Sequence, residues 1–297
     1  MMPGASNQKI ADKLRELADL LEQQGANPFR VGAYRRAAET VAAHPEDLTE
    51  VLERGGLEGL IALPGIGRSI ASAIREMVHT GRWVQLERLR GTLEPEQVFC
   101  SVPGIGPALA HRIHDALHVE TLEALEIAAH DGRLERTPGV GPRRAAMVRS
   151  ALGSMLGRRP LGRPLRPVEA APAPEVALLL DVDAEYRRET AAGRLRRITP
   201  RRFNPSGEAW LPVLHARRSV WDFTALYSNT ARAHELGRVR DWVVIYYHAD
   251  NQPEGQCTVV TETHGPIEGR RVVRGREAEC RAHYAGQAPR SHARKSA

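Results

Sequence analysis

One five-residue pattern carries the clearest chemistry in this chain. Leu63-Pro-Gly-Ile-Gly67 recurs as Val102-Pro-Gly-Ile-Gly106 and as Thr137-Pro-Gly-Val-Gly141, with starts 39 and 35 residues apart. Each copy sits between two stretches of helical character. The glycines let the chain turn tightly and bring bare backbone close to a ligand. The first N–H groups of the following helix then point outward without intrahelical partners, and the helix dipole adds positive charge there. Together these make an anion site fitted to a phosphate. The candidate contact residues are Gly65, Ile66, Gly67 and Arg68 in the first copy, Gly104 and Gly106 in the second, and Gly139, Val140 and Gly141 with Arg143 and Arg144 in the third. A glycine-rich turn can also do no more than join two helices, but three copies in one context argue against that. The first and third copies are the stronger candidates, because the second has only Arg112 nearby. Phosphate contacts position a protein without reading bases.

Other reactive residues give weaker signals. Asp181-Val-Asp183 follows an apolar run and has the spacing of a metal-binding pair, but no third matching carboxylate appears. A capped helix start leading into Ala184–Arg194 is the plainer reading. His215, His234, His248, His264, His283, Cys257 and Cys280 show no tight ligand spacing. No metal is therefore expected. No cofactor is expected either, apart from a monovalent cation that a hairpin could seat. Lysine is confined to Lys9, Lys13 and Lys295, which leaves few amine nucleophiles.

The elements that must carry these residues change character along the chain. Residues 8–24, Phe29–Ala43 and Asp47–Arg54 read as amphipathic helices. Further helices follow the hairpins at Arg68–Val78, Pro107–Leu117 and Pro142–Leu152. Residues 156–175 are rich in proline, glycine and arginine and read as a linker. Beyond them Trp210–Leu214, Val220–Tyr227, Trp242–His248, Cys257–Thr263 and Arg270–Val273 read as strands, with helices near Ala184–Arg194 and Ala231–Leu236. The fold expectation is an all-α N-terminal half with tandem helix-hairpin-helix motifs, joined by the linker to an α+β domain. The boundaries are 1–90 and 91–155 for two helical units, 156–175 for the linker, 176–285 for the α+β domain and 286–297 for a disordered tail.

Charge is distributed unevenly. Residues 1–160 hold 20 basic and 20 acidic side chains, so the net of +6 lies wholly in residues 161–297, with 22 against 16. The helical half must therefore bind an anion with a few placed groups rather than by bulk charge. In the second half Arg196, Arg197, Arg201, Arg202, Arg271, Arg274 and Arg276 form a candidate second basic patch. Phe203, Trp210, Trp221, Phe223, Tyr246 and Tyr247 lie among them, a composition suited to backbone contact and base stacking. No apolar run reaches membrane-spanning length and the N-terminus has no signal-peptide pattern. The expectation is a cytoplasmic protein.

The first 155 residues resemble the N-terminal region of family X DNA polymerases, especially the bacterial type. The resemblance rests on Asn27-Pro-Phe-Arg-Val-Gly-Ala-Tyr-Arg-Arg-Ala-Ala38, Leu63-Pro-Gly-Ile-Gly-Arg-Ser-Ile-Ala71, Thr80-Gly81, Val102–Gly106 and Thr121–Gly132. It implies a small helical domain that binds the 5′-phosphate side of a DNA gap, with Arg30, Tyr34 and Arg68 placed to hold a terminal phosphate. In some members that domain also removes a 5′-deoxyribose phosphate through a lysine Schiff base. Here Ala73 stands at the Schiff-base position and Ser69 at a phosphate-binding lysine. Alanine cannot form an imine, so the resemblance implies binding without that lyase chemistry. Lys9 and Lys13 are the remaining amines in this half. The Gly-Ser turn and paired aspartates of a polymerase palm are missing from the second half of the sequence.

The expected function is sequence-independent, structure-specific DNA binding of a repair type, on gapped, nicked or end-containing DNA, with nucleoid association. Two alternatives stay open. The C-terminal domain could hold a nuclease or lyase centre, or it could bind a repair protein.

Overall fold

The computed structural model describes residues 5–117, 119–156, 173–249 and 254–287. Most of the expected linker, and the expected tail from residue 288 onward, lie outside the described residues. The first helical unit contains α1 (Ala5–Gln23), α2 (Pro28–Ala43), α3 (Leu48–Ile61), α4 (Arg68–Thr80) and α5 (Val84–Arg90). Asn27 caps α2 by accepting from the Phe29 N–H, with Pro28 in the first turn, where its missing N–H is no loss. Asp47 caps α3 through the Thr49 N–H. The backbone breaks inside α3 at Gly56 (φ 59°, ψ −151°), which is why the sequence pattern ends near Arg54. The second unit contains α6 (Pro95–Cys100), α7 (Pro107–Leu117), α8 (Leu122–His130), a 3-10 turn η1 (Leu134–Arg136) and α9 (Pro142–Met155).

The remaining elements are α10 (Val176–Ala191), β1 (Arg196–Ile198), β2 (Leu211–Arg218), β3 (Trp221–Tyr227), α11 (Ala231–Glu235), β4 (Val243–Ala249), β5 (Gly255–Thr261), β6 (Arg271–Val273) and α12 (Glu277–Gln287). The strands form one antiparallel meander in the order β1 to β6. This is the α+β domain expected. Three details differ from the sequence reading. Helix α10 starts at Val176, well before Ala184. Its buried stripe is Leu179, Val182, Asp183 and Tyr186, a helical spacing disguised by a carboxylate on the apolar face. Strand β1 is an addition to the expected strands. So is α12 to the helices; it runs to Gln287 and takes in the start of the expected tail.

Apolar packing divides the molecule differently from chain order. One core joins the first helical unit to the sheet, from Leu14, Ala38 and Ile74 to Phe223, Ile245 and Val272. The second unit has its own core around Phe99, Ile113, Leu125 and Leu152. Helices α10 and α12 cover one sheet face. A row on the other face meets the helical half. It runs His215, Thr224, Tyr246, Gln256 across β2 to β5 in direct register, and paired residues share a face. His215 Nε2 lies 2.9 Å from Gln24 Oε1. The Tyr246 hydroxyl donates to Glu120, and Gln256 Oε1 accepts from the Glu120 N–H at 3.3 Å. Arg88 of α5, 3% exposed, forks onto Glu254 at 3.2 and 2.9 Å and stacks 3.2 Å above the Tyr246 ring. At the sheet edge the Arg201 N–H donates to Gly91 O at 2.7 Å. A Cβ on Gly91 would collide with the Thr199 carbonyl oxygen, and Gly91 has φ of +77°. Only glycine fits both conditions.

Two arginines of the expected basic patch are structural ties. Arg271 donates to both Asp183 oxygens at 2.9 and 2.7 Å and to Asp241 at 2.8 Å. Asp183 is 1% exposed. Asp181 instead binds Arg218 at 2.8 Å, so the two aspartates serve separate ion pairs. Arg202 forks onto Glu96 of the second unit at 3.1 and 2.9 Å. Arg271→Ala should lower unfolding stability by about 3 kcal/mol, because it strands a buried carboxylate. Asp183→Asn with Arg271→Gln should recover part of that loss. Urea unfolding at neutral pH reads both, and an unchanged midpoint for Arg271→Ala would return Arg271 to the solvent-facing patch.

Candidate nucleic-acid interface

All three hairpins adopt one geometry. A Pro-Gly pair occupies the corner, and the N–H of Ile66, Ile105 and Val140 donates back to Leu63 O, Val102 O and Thr137 O at 3.1, 3.0 and 3.0 Å. Gly65, Gly104 and Gly139 have φ of +73°, +90° and +84°, as the third position of a type II turn requires. Ile66, Ile105 and Val140 are 3, 4 and 5% exposed and pin each turn to its helix pair. The flanking glycines stay exposed.

The start of the helix after the turn matters most. Gly67 and Gly141 are the N-cap residues of α4 and α9, with extended backbone and no side-chain cap. Elsewhere Asn27, Asp47, Thr121 and Thr230 cap their helices with a side-chain oxygen. Nothing lies within 4 Å of where a Cβ would stand on Gly67, Gly106 or Gly141. The hairpin helices therefore present open N–H groups to solvent.

The second and third hairpins are related by a pseudo-two-fold. Arg112 and Met147 occupy equivalent places, five residues beyond Pro107 and Pro142. Each crosses to the other hairpin. Arg112 Nε donates to Pro138 O at 3.1 Å, and Met147 Cε fills the space that a Cβ on Gly104 would need. The exchange is unequal: the third hairpin receives a guanidinium and the second a thioether. Arg144 adds a second guanidinium to the third, donating to Gly139 O at 2.8 Å. These two donors occupy two backbone carbonyls of the third turn. Arg143, beside them on the first turn of α9, is exposed and has no ion pair with a described residue.

The first hairpin has different company. Thr40 Oγ1 donates to Pro64 O at 2.9 Å. Arg36 of α2 is exposed, and its Cβ lies 3.9 Å from where a Cβ would stand on Gly65. Sequence reasoning passes over Arg36 because only the α2–hairpin packing brings it there. Arg68 forms an exposed ion pair with Glu58 at 3.2 Å.

Arg30 and Tyr34 lie away from this surface, 9 and 4% exposed. Tyr34 donates to Gln85 at 3.1 Å; burial raises its pKa despite the nearby Arg30 guanidinium. Arg30 Nε has no hydrogen-bond partner. Its charge acts on His215 of β2 and His248 of β4. Ser69 and Ala73 line a cavity of about 50 Å³ closed from the sheet side by His248 and Glu254. Of the residues implied to hold a terminal phosphate, Arg30 and Tyr34 lie buried beneath the sheet while Arg68 stands apart on the first hairpin. Lys13 donates to Gly81 O at 2.7 Å, and burial lowers its pKa.

The seven patch arginines, ties included, fall into two groups. Arg196, Arg197, Arg201 and Arg202 lie on or near β1, and Arg271, Arg274 and Arg276 on or near β6. These are opposite sheet edges, about 24 Å apart at ordinary strand spacing. No group of three or more His, Cys, Asp or Glu among the described residues is placed to hold a metal, and no described helix is long and apolar enough to cross a membrane. Cys100, Cys257 and Cys280 are free thiols.

Comparison with known proteins agrees with this geometry. Residues 5–83 match the helix-hairpin-helix domain family, and residues 96–154 match the SAM-like helix-hairpin-helix tandem family. Over 148 residues the chain is 28% identical to the DNA polymerase/3′-5′ exonuclease PolX of Bacillus subtilis (strain 168), a match covering 50% of this chain and 25% of that protein. The N-terminal half is a PolX-like helix-hairpin-helix region. The match spans about a quarter of that relative's length, and nothing in the comparisons points to a polymerase palm.

Burial of the seam beneath the PolX-like half makes stability depend on pH. His215 is pushed down to about 3, first by burial and then by Arg30. Gln24 Nε2 donates to Leu89 O at 3.4 Å, which turns Gln24 Oε1 toward His215. The neutral ring then donates from Nε2 to Gln24 and accepts the Thr224 hydroxyl at Nδ1. Burial, followed by Arg30 and Arg217, also lowers His248. A histidine neutral in the fold and protonatable when unfolded leaves stability intact above pH 6.5 and erodes it as pH falls toward 3. Unfolding free energy should be flat from about pH 7 to 8 and fall below about 6.5, by up to about 1.4 kcal/mol per pH unit for each proton taken up. His215→Gln should remove part of that slope in urea titrations at stepped pH.

Proposed function

We propose that this chain binds DNA through its backbone, without reading sequence, by seating phosphates on the hairpin helix starts. One observation carries the reading: α4 and α9 begin at exposed, uncapped glycines, while Arg36 and Arg143 stand beside those hairpins with no ion pair to a described residue. The pseudo-two-fold of the second unit suits the two strands of one duplex, each hairpin meeting one backbone. The first hairpin adds a separate grip, and a protein holding DNA at separated points favours nicked, gapped or end-containing substrates that can bend between them. Such preferences belong to repair. The PolX relative is by name a DNA polymerase and exonuclease, which supports DNA as the ligand. A chain that grips DNA in this way would sit in the cytoplasm at the nucleoid.

The hairpins also define the test. At Gly67 and Gly141 the backbone is extended and the space around the missing Cβ is open. Aspartate is a preferred N-cap in that conformation. Gly67→Asp with Gly141→Asp should hold or raise thermal stability while placing carboxylates on both anion sites. Affinity for gapped duplex should fall by about tenfold or more for each phosphate displaced from its seat, on the scale of charge-assisted bonds. For the unmodified protein, log K should fall with log salt at a slope of about −3 to −4, as for about four neutralised phosphates. Anisotropy titrations across a salt series read both quantities. Full affinity in the well-folded double variant would remove the hairpins from the interface.

A further inference from the structure

An open cleft of about 920 Å³ runs between the second helical unit and the sheet. It is at the upper end of the range for a small-molecule pocket and open along its length. One wall comes from α7, α8 and η1, and the other from β5 with residues near α11 and β6. Two of the large apolar side chains left exposed on this protein lie on its opposing walls: Ile127, 51% exposed, and Leu236, 46% exposed. Half-buried Trp242 completes an apolar floor, while Tyr247, alternating with Tyr246 along β4, lines the cleft only where it rounds the β5 edge toward the α10–α12 face.

The rim is cationic. Five arginines line the cleft against two acids, Asp131 and Glu254, a difference of +3. Both acids are engaged, Asp131 by Arg133 and Glu254 by buried Arg88. The rim arginines Arg133 and Arg232 form only exposed ion pairs with neighbours, of the weak class that a phosphate can displace, while Arg274 is half-exposed and holds Glu262 and Glu277 only at 3.7 and 3.8 Å. An apolar floor between cationic walls is what a flexible polyanion with flat, stackable bases requires.

We propose that this cleft binds single-stranded DNA. The ligand class follows from the DNA-binding reading above, but the residues are different. Arg133 and Arg136 sit on the turn that leads directly into the third hairpin at Thr137. A duplex held there thus has its frayed end or flap delivered to the cleft. The structure then accounts for a preference for DNA that carries a single-stranded segment, which hairpins alone do not supply.

The test uses the full chain and two labelled probes, an oligothymidine of roughly 16 nucleotides and an intact duplex. Arg133→Glu with Arg274→Glu should weaken oligothymidine binding by about tenfold while changing duplex affinity little. Gly67→Asp with Gly141→Asp should do the reverse. An iodouridine-substituted oligonucleotide should photo-crosslink to Trp242. Crosslinks confined to the hairpins, or unchanged oligothymidine binding in the arginine variant, would overturn the cleft and leave the hairpins standing. So would binding of a polyglutamate peptide that Arg133→Glu with Arg274→Glu abolishes while oligothymidine binding persists, since the face would then dock protein. Failure of the glycine variants alone would overturn the hairpin reading and leave the cleft intact.

Discussion

The Arg88 side chain holds the arrangement together. It lies at the end of the first helical unit, and its guanidinium is buried between Glu254 and the Tyr246 ring. A buried cation is costly unless it is paired, and Glu254, carried by the sheet, takes both terminal nitrogens while the Nε is left without a hydrogen-bond partner. Once the sheet is there, His215 meets Gln24, Tyr246 meets Glu120, and the backbone beyond β1 meets Gly91. The sheet then lies over Arg30 and Tyr34 and leaves the hairpin turns open to solvent. It also stands off from the second helical unit far enough to leave a cleft. The open hairpins, the covered Arg30 and Tyr34 and the cationic cleft are three results of one docking geometry.

That geometry redistributes the arginines. The second half carries the whole net charge of +6, yet much of its guanidinium is engaged internally. Arg271 ties β6 to α10 and to Asp241, Arg202 ties the sheet to α6, and Arg218 binds Asp181 and Glu185. A sum over charges therefore overstates what a polyanion meets. The arginines that count for a ligand are those whose partners are exposed or, among the described residues, absent, such as Arg143, Arg36 and Arg232. Two of these three belong to the half whose net charge is zero.

The local parts of this structure are legible in the sequence, and the long-range parts are not. Each hairpin is written in five adjacent residues, because a type II turn needs proline then glycine and an N-cap needs extended backbone. The strands follow from runs of Val, Thr, Ile and aromatic residues. The start of α10 is hidden because Asp183 on its buried stripe reads as a polar interruption until Arg271, far along the chain, is seen to face it. Arg30 and Tyr34 read as available because nothing near them announces His215 and His248. Arg36 escapes notice for the converse reason: it stands beside the first hairpin only after α2 packs there. What the sequence hides is which side chains acquire partners across the seam.

On the proposed reading the N-cap glycines of α4 and α9 leave their helix starts open to a ligand, whereas other α-helix starts without a side-chain cap, at Trp83, Glu94 and Glu175, carry a side chain. Where α2, α3, α8 and α11 begin, Asn27, Asp47, Thr121 and Thr230 place an oxygen on an orphan N–H. Glycine at the same position forgoes that bond at a cost of only a few tenths of a kcal/mol. In exchange it leaves the N–H groups open and removes the side chain that would keep a phosphate away. An aspartate would be a good cap and a poor site, because its carboxylate would occupy from within the position an external anion needs. On the proposed reading Gly67 and Gly141 are vacated caps, whose missing hydrogen bond a backbone phosphate would complete.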